Sequence, residues 1–109
     1  MTVNSIFGMG IFRYNESILK KISLHLMVLF TVTLIYLVAG YKSSDWNGMD
    51  EKTDNNFIEK FFNRFYFSTI TFSTIGYGDI SPKSNVLRLF TIIFAIAMLV
   101  EYYLLYNLE

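Results

Sequence analysis

Two glycines near the middle of the chain are spaced so that the main chain itself could bind a cation. Gly76 and Gly78 lie two residues apart in residues 73–79, the Gly-Tyr-Gly loop. Glycine adopts positive φ at little cost, so glycine at every second position lets left- and right-handed backbone conformations alternate. This alternation directs successive carbonyl oxygens to one side. The spacing therefore permits, without requiring, coordination of a desolvated cation by carbonyl oxygens if several chains surround the ion.

A Gly-x-Gly pair also occurs in ordinary turns and in phosphate-binding loops. A dinucleotide-binding fingerprint would need a third glycine at position 81, where the chain has Ser81, and a preceding β-strand that the sequence does not predict. The spacing alone therefore leaves an ordinary turn as the alternative to a cation site.

The longer string around these glycines decides between the two. Residues 71–79 read Thr-Phe-Ser-Thr-Ile-Gly-Tyr-Gly-Asp and match the pattern T-x-x-T-x-G-Y-G-D at every fixed position. In this string the chain resembles the potassium channel family. The resemblance extends to residues 64–74 as a pore helix and to residues 80–82 as the turn after it. Among family members, the miniature channels of large algal viruses are the most similar in length.

The resemblance implies which atoms bind the ions. The metal is potassium, and its ligands are the main-chain carbonyls of Thr74, Ile75, Gly76 and Tyr77. The Thr74 hydroxyl adds the innermost ring of oxygens, and Gly78 closes the outer end of the selectivity filter. The side chains of Ile75 and Tyr77 are expected to point away from the ions and to pack on the pore helix.

The resemblance also implies which residues support the filter. These residues are Tyr66, Phe67, Thr71 and Asp79. In some relatives an acidic side chain on the pore helix pairs with the aspartate that follows the filter. The matching residue in this sequence is Ile70, so Asp79 lacks that partner.

Uncharged runs predict the elements that must position the loop. Residues 22–41 carry no charge and would form a helix of about 30 Å, the thickness of a bilayer's hydrocarbon core. Residues 86–108 form a second predicted span, in which Glu101 is the only charge after Arg88. The uncharged run 65–78 is too short to cross, which suits a re-entrant segment.

The predicted fold class is an all-α membrane protein with two transmembrane helices that flank a re-entrant pore helix and filter. One pore domain covers residues 1–109, and four identical chains form a tetramer. The predicted segments are an N-terminal interfacial segment 1–21, an outer helix 22–41, an outer loop 42–60, a pore helix and filter 61–82, and an inner helix 86–108. A loosely ordered tail remains an alternative for the first segment, and the polar loop is expected to be exposed.

Composition agrees with a membrane environment and excludes several classes of protein. Hydrophobic residues make up 53% of the chain and charged residues 17%, more apolar surface than a small soluble domain could bury. Zero net charge argues against nucleic acid as a partner. Without cysteine and with one histidine, thiolate and multi-histidine metal sites are excluded. No nucleophile–base or paired-carboxylate constellation is visible, so neither an enzyme nor a cofactor is expected.

The second predicted span contains candidates for the inner part of the pore. Its candidate residues are Leu99, Glu101, Tyr102 and Tyr106. A charge at the bilayer centre costs about 2.5–3.5 kcal/mol on insertion scales, so Glu101 either attracts cations at the inner mouth or reaches the headgroups. His25, in the first span, fits a neutral side chain near the interface better than a pH sensor.

The function implied by the resemblance is passive, selective potassium conduction by a homotetramer in a multi-pass membrane location, either a host cell membrane or a viral membrane. The expected partners are further copies of the chain, membrane lipid and potassium ions. Two alternatives stay open. One is a weakly selective cation pore, because Asp79 lacks its acidic partner. The other is a small structural membrane protein of a virion.

Overall fold

The chain is mostly helical, as its sequence predicts. The computed structural model describes residues 11–107, and their side chains from residue 16 onward. Its helices are α1 (Ile11–Ala39), α2 (Phe57–Phe72) and α3 (Asn85–Tyr106). A single 3₁₀ turn (Ser43–Asp45) and two short strands, β1 (Trp46–Asn47) and β2 (Ser81–Pro82), connect them.

Helices α1 and α3 are both long and apolar enough to cross a membrane. The apolar stretch Glu16–Ala39 of α1 has 24 residues and α3 has 22, so at ~1.5 Å per residue each exceeds a hydrocarbon core of about 30 Å. Only 28% of the apolar stretch of α1 and 6% of that of α3 is buried within the chain. Because the core helix of a soluble domain is mostly buried, these faces are left for lipid or for other chains.

Helix α1 begins before the predicted span. It starts at Ile11, so residues 11–21 of the predicted interfacial segment belong to the same helix as residues 22–39. Residues 1–10 of that segment lie outside the described residues. The charges among residues 13–21 hide this continuity, because they interrupt the apolar run without interrupting the helix.

The end of α1, at Ala39, is fixed by close packing around the next residue. The Gly40 carbonyl accepts hydrogen bonds from Trp46 Nε1 at 2.9 Å and from Arg64 Nη2 at 2.9 Å. A Cβ atom on Gly40 would lie 2.7 Å from Leu87 Cδ1 and 2.8 Å from the Trp46 indole nitrogen. Glycine is therefore required here by the approach of two other segments.

Helix α2 begins at Phe57, inside the segment predicted as outer loop, because a capping box precedes it. The Asn56 side chain accepts from the Glu59 main-chain N–H at 2.8 Å, and the Glu59 carboxylate accepts from the Asn56 N–H at 3.2 Å. Helix α2 ends at Phe72. Helix α3 is capped by Ser84 and ends at Tyr106, and residue 108 of the predicted inner helix lies outside the described residues.

The segment between α1 and α2 is not the uniformly exposed loop that its polar composition indicates. Asp54 is 1% exposed and Arg64 is fully buried. Their two side chains form a bidentate pair, with Nη1–Oδ1 at 2.6 Å and Nη2–Oδ2 at 3.1 Å. Arg64 also donates to the main-chain carbonyls of Gly40, Tyr41 and Lys60. The pair thus joins the end of α1 to the first half of α2.

Hydrogen bonds decide the protonation of Asp54. Burial by itself would raise the pKa of its carboxyl group, but bonds from Arg64, Asn63 and Ser43 outweigh this effect. The pKa of Asp54 is consequently held well below its usual range. The ion pair is therefore charged and fully hydrogen-bonded at neutral pH.

Tyr36 lies at the centre of the core. It is fully buried, and its ring makes edge contacts with Trp46, Phe67 and Phe94 at centroid distances of 5.3, 5.4 and 5.4 Å. Its hydroxyl lies 2.6 Å from Thr91 Oγ1 on α3. One aromatic side chain of α1 therefore contacts α3, α2 and the connecting segment together.

The strands β1 and β2 fix the topology. They pair antiparallel, with Trp46 opposite Pro82 and Asn47 opposite Ser81. Because β1 follows α1 closely and β2 directly precedes α3, the pairing holds the end of α1 and the start of α3 at the same end of the molecule. Helix α2 and the Gly-Tyr-Gly loop lie between these strands in the sequence, so they leave this end and return to it.

Candidate ion-binding site

The Gly-Tyr-Gly loop is anchored to the C-terminal end of α2. The last four carbonyls of a helix have no partner within it, and in α2 each one is satisfied in another way. The Thr69 carbonyl accepts from the N–H and the hydroxyl of Ser73. The Ile70 carbonyl accepts from the N–H groups of residues 75 and 76 at 3.0 and 2.9 Å, and that of Thr71 accepts from residue 74. The Phe72 carbonyl accepts from a side chain of α3.

The backbone of the loop alternates in hand over five residues. φ is +67° at Thr74, +60° at Gly76 and +78° at Gly78, while Ile75 and Tyr77 have negative φ. A threonine at positive φ is unusual, because its branched Cβ is crowded in that conformation. The alternation therefore extends one step beyond the two glycines that predict it, and it is the pattern expected to direct consecutive carbonyls to one side.

The loop is open on the side away from its own chain. Residues 73–79 are all exposed, with Ile75 at 56% and Tyr77 at 71%. A Cβ atom added to Gly76 or Gly78 would meet nothing within 4 Å. The packing of Ile75 and Tyr77 on a pore helix therefore does not occur within one chain and stays a prediction for an assembly.

The outer end of the loop is held by two contacts of Asp79. The Tyr66 hydroxyl donates to its carboxylate at 2.7 Å, while Ile70 is buried and offers no polar group. Gly48, at φ +84°, approaches so closely that a Cβ there would lie 1.8 Å from the Asp79 main-chain oxygen. The connecting segment therefore buttresses the main chain where the loop ends.

The other predicted support residues lie behind the loop. Phe67 is 3% exposed and packs on Tyr36 and on Trp46, at a centroid distance of 5.1 Å from the latter. Thr71 is half-buried, and its carbonyl accepts from the Thr74 N–H at 3.3 Å. Tyr66, Phe67 and Thr71 therefore connect the loop with α2 and the core.

The inner-pore candidates separate into two groups. Leu99 and Tyr106 are 68% and 84% exposed on α3. Glu101 turns toward α1, where its Oε1 lies 2.8 Å from His25 Nδ1. The Tyr102 hydroxyl donates to the Phe72 carbonyl at the end of α2. Within one chain, Glu101 thus faces His25. This contact is neither of the two roles predicted for Glu101 from the sequence.

Three features of the site were not predicted from the sequence, although two of them have a signal in it. The positive φ of Thr74 had one signal, its spacing of two from Gly76. The pairing of His25 with Glu101 also had a signal, since each is the sole acid or histidine within its span. The buttress of Gly48 against Asp79 had none, because it depends on the pairing of β1 with β2.

Most of the chain matches one family of known proteins. Residues 22–107 match the family described as "Ion channel". Over 49 residues the chain is 45% identical to the hyperpolarization-activated voltage-gated potassium channel of Methanocaldococcus jannaschii, covering 42% of this chain and 23% of that protein. Over 67 residues it is 39% identical to two-pore potassium channel 4 of Arabidopsis thaliana, covering 62% and 22%.

A third relative gives a similar result. Over 65 residues the chain is 45% identical to the voltage-gated potassium channel Kch of Escherichia coli strain K12, covering 58% of this chain and 14% of that protein. The chain thus spans less than a quarter of the length of these curated relatives. No solved structure matches it significantly.

Proposed function

Because this chain belongs to the ion channel family, we propose that it is one subunit of a homotetramer that conducts potassium ions passively and selectively across a membrane. The observation that carries the proposal is the alternation of φ at Thr74, Gly76 and Gly78. The relatives described above are each named as potassium channels. Two helices suited to crossing a membrane are consistent with an integral membrane protein.

In the proposed filter, four copies of the loop surround one axis. The carbonyls of the residues from Thr74 to Tyr77 replace the water around a potassium ion, because rings of main-chain oxygens can surround it on all sides. The Thr74 hydroxyl supplies the innermost ring, and Gly78 closes the outer end. The C-terminal end of α2 directs its partial negative charge toward the ion path.

The topology supports a re-entrant course of α2 if α1 and α3 span a membrane. The pairing of β1 with β2 keeps the end of α1 and the start of α3 on one membrane face. Helix α2 has 16 residues, about 24 Å at ~1.5 Å each, which is less than a bilayer's hydrocarbon thickness. It therefore enters from that face and the loop returns to it.

The exposed surface of one chain supports assembly from several copies. A single loop provides carbonyls on one side of an ion only. Ile75 and Tyr77 are largely exposed beside it, and exposed apolar clusters mark interaction sites. Neighbouring copies would both cover these side chains and complete the ring of oxygens.

The test separates backbone conformation from side-chain size at Gly76. Purified protein is reconstituted in planar bilayers, and wild type is compared with Gly76→Ala and with a semisynthetic chain that carries D-alanine at this position. L-alanine at positive φ costs about 1–2 kcal/mol, whereas D-alanine adopts positive φ readily. We expect potassium current from wild type and from the D-alanine chain, and little from Gly76→Ala.

Two results would contradict the proposal. One is the absence of potassium current from wild-type protein that is folded and inserted. The other is equal current in wild type and in Gly76→Ala, because the main-chain conformation would then be irrelevant to conduction. In the second case a structural role of the membrane protein, rather than conduction through this loop, would be favoured.

One contact favours a second candidate, a pore of weaker selectivity. Asp79 is held by one hydroxyl, from Tyr66, because Ile70 provides no acid beside it. Reversal potentials in mixed potassium and sodium solutions distinguish the two pores. A value close to the potassium equilibrium potential supports the selective filter, and a value near zero supports the weaker one.

The membrane of residence belongs to the proposal as well. The resemblance to the miniature channels of large algal viruses suggests a host cell membrane or a viral membrane. This resemblance rests on residues 71–79 and on the segments that flank them. Immunolocalisation of the chain in infected algal cells and in purified particles would test it, and a cell that encodes the chain in its own genome would contradict a viral origin.

A further inference from the structure

The two spanning helices are joined by polar contacts within the apolar region. His25 of α1 and Glu101 of α3 pair at 2.8 Å, and their side chains are 21% and 14% exposed. Polar and ionisable side chains in a spanning segment are costly and are retained for a purpose. The proposed conduction path assigns no role to this pair.

A second polar contact lies directly beside the pair. Tyr102 follows Glu101 in α3, and its ring centroid lies 5.3 Å from that of His25. Its hydroxyl donates to the carbonyl of Phe72. That carbonyl is the last one of α2, and Ser73 and Thr74 of the Gly-Tyr-Gly loop follow immediately.

We propose that the His25–Glu101 pair is a positioning device for the Gly-Tyr-Gly loop. The pair fixes the rotation of α3 at this level, and the ring of Tyr102 rests on the imidazole. In this position the Tyr102 hydroxyl binds the Phe72 carbonyl and holds the start of the loop. Helix α1 is thereby linked through α3 to the innermost ring of oxygens.

The direction of the effect follows from the conformation in which the bond is observed. The loop has the alternating φ values that align its carbonyls, and the bond from Tyr102 is present in this state. A bond formed in one state stabilises that state relative to others. Loss of the hydroxyl should therefore reduce the time that the loop spends in the aligned, conducting conformation.

The first test removes one hydroxyl and compares it with a matched control. Tyr102→Phe keeps the ring and deletes the bond to Phe72. Tyr103→Phe deletes the hydroxyl of the next residue; Tyr103 is 69% exposed, and its hydroxyl makes no hydrogen bond within the described residues. A net hydrogen bond is worth about 0.5–1.5 kcal/mol, so Tyr102→Phe should lower single-channel open probability roughly two- to twelve-fold, while Tyr103→Phe leaves it unchanged.

The second test asks whether His25 acts on open probability through Tyr102. His25→Phe removes the contact with Glu101 but keeps an aromatic ring beside Tyr102. We expect His25→Phe to lower open probability, and the double variant His25→Phe/Tyr102→Phe to lower it no further than Tyr102→Phe alone.

The outcomes distinguish this inference from the proposed function on which it rests. If wild-type protein passes no potassium current, the proposed function fails and the inference fails with it. If wild type conducts but Tyr102→Phe and Tyr103→Phe give the same open probability, only the positioning role is overturned. Independent, additive effects of His25→Phe and Tyr102→Phe overturn it as well.

Discussion

At the scale of single residues, the site depends on positions where a Cβ atom would clash with a neighbouring atom or would require a strained main-chain conformation. Gly76 and Gly78 have free space around them within one chain and are constrained by φ alone. Gly48 is constrained twice, by φ +84° and by the Asp79 carbonyl oxygen. Thr74 accepts a positive φ despite its branched side chain, and such local strain is typical of functional sites.

Gly48→Ala should damage the loop from outside it. The added Cβ would lie 1.8 Å from the Asp79 oxygen, so the main chain at the loop's outer end has to move. Strain at positive φ adds about 1–2 kcal/mol. We expect lower thermal stability and a loss of most potassium flux in vesicles loaded with the purified protein.

Asn47→Ala is the control for this substitution. Asn47 is exposed and makes one side-chain contact, to Ser81 at 3.1 Å. It should change flux little. Flux through Gly48→Ala equal to that of the control would show that the segment around Gly48 does not support the loop.

At the scale of elements, the buried pair of Asp54 and Arg64 attaches α2 to the end of α1. The guanidinium group donates to both carboxylate oxygens and to carbonyls of Gly40, Tyr41 and Lys60. Nothing in the local pattern predicts this, because an Asp in a polar segment and an Arg on a short helix are ordinarily exposed. By contrast, the helices themselves follow from uncharged runs and capping residues that the sequence shows directly.

The pair predicts a specific sensitivity to acid. The pKa of Asp54 is lower in the folded chain than its unfolded value of about 3.9. Its contribution to stability is therefore complete above about pH 4 and is lost as pH falls toward the lowered folded value. The thermal midpoint of the detergent-solubilised protein should decline steeply below about pH 4.

Asp54→Asn isolates the contribution of this carboxylate. It should lower the midpoint at pH 7, because Arg64 then lacks its counter-charge, and it should make the decline in acid shallower. Glu51→Gln, an exposed position in the same segment, should leave the slope unchanged. Equal slopes in wild type and Asp54→Asn would contradict the assignment.

At the scale of the whole molecule, the chain exposes more apolar surface than it buries along its two long helices. The period-two glycines and the uncharged runs predict where the loop and the spans lie, since both signals are local. The contacts that hold the loop join segments far apart in sequence, such as Gly48 with Asp79 and Tyr102 with Phe72. Such pairs have no local signature, so only the folded arrangement reveals them.

Assembly provides a prediction at this scale. Tyr77 is 71% exposed in one chain and should be covered by a neighbouring copy in a tetramer. Chemical cross-linking in mild detergent should therefore give a ladder that ends at four subunits. Tyr77→Asp should weaken the four-subunit band, and Asn47→Asp, at an exposed position outside the two long helices, serves as the control. A ladder that stops at two would contradict the assembly.

The strand pairing at one end of the molecule and the His25–Glu101 contact toward the other have a practical consequence. If both long helices cross a membrane, as proposed, the start of α1 and the end of α3 lie in the same compartment. Copies can then be fused head to tail through short flexible linkers with no additional crossing segment. A gene that encodes such a fusion would allow a chosen number of copies to carry an altered loop. The effect of each altered copy could then be measured separately.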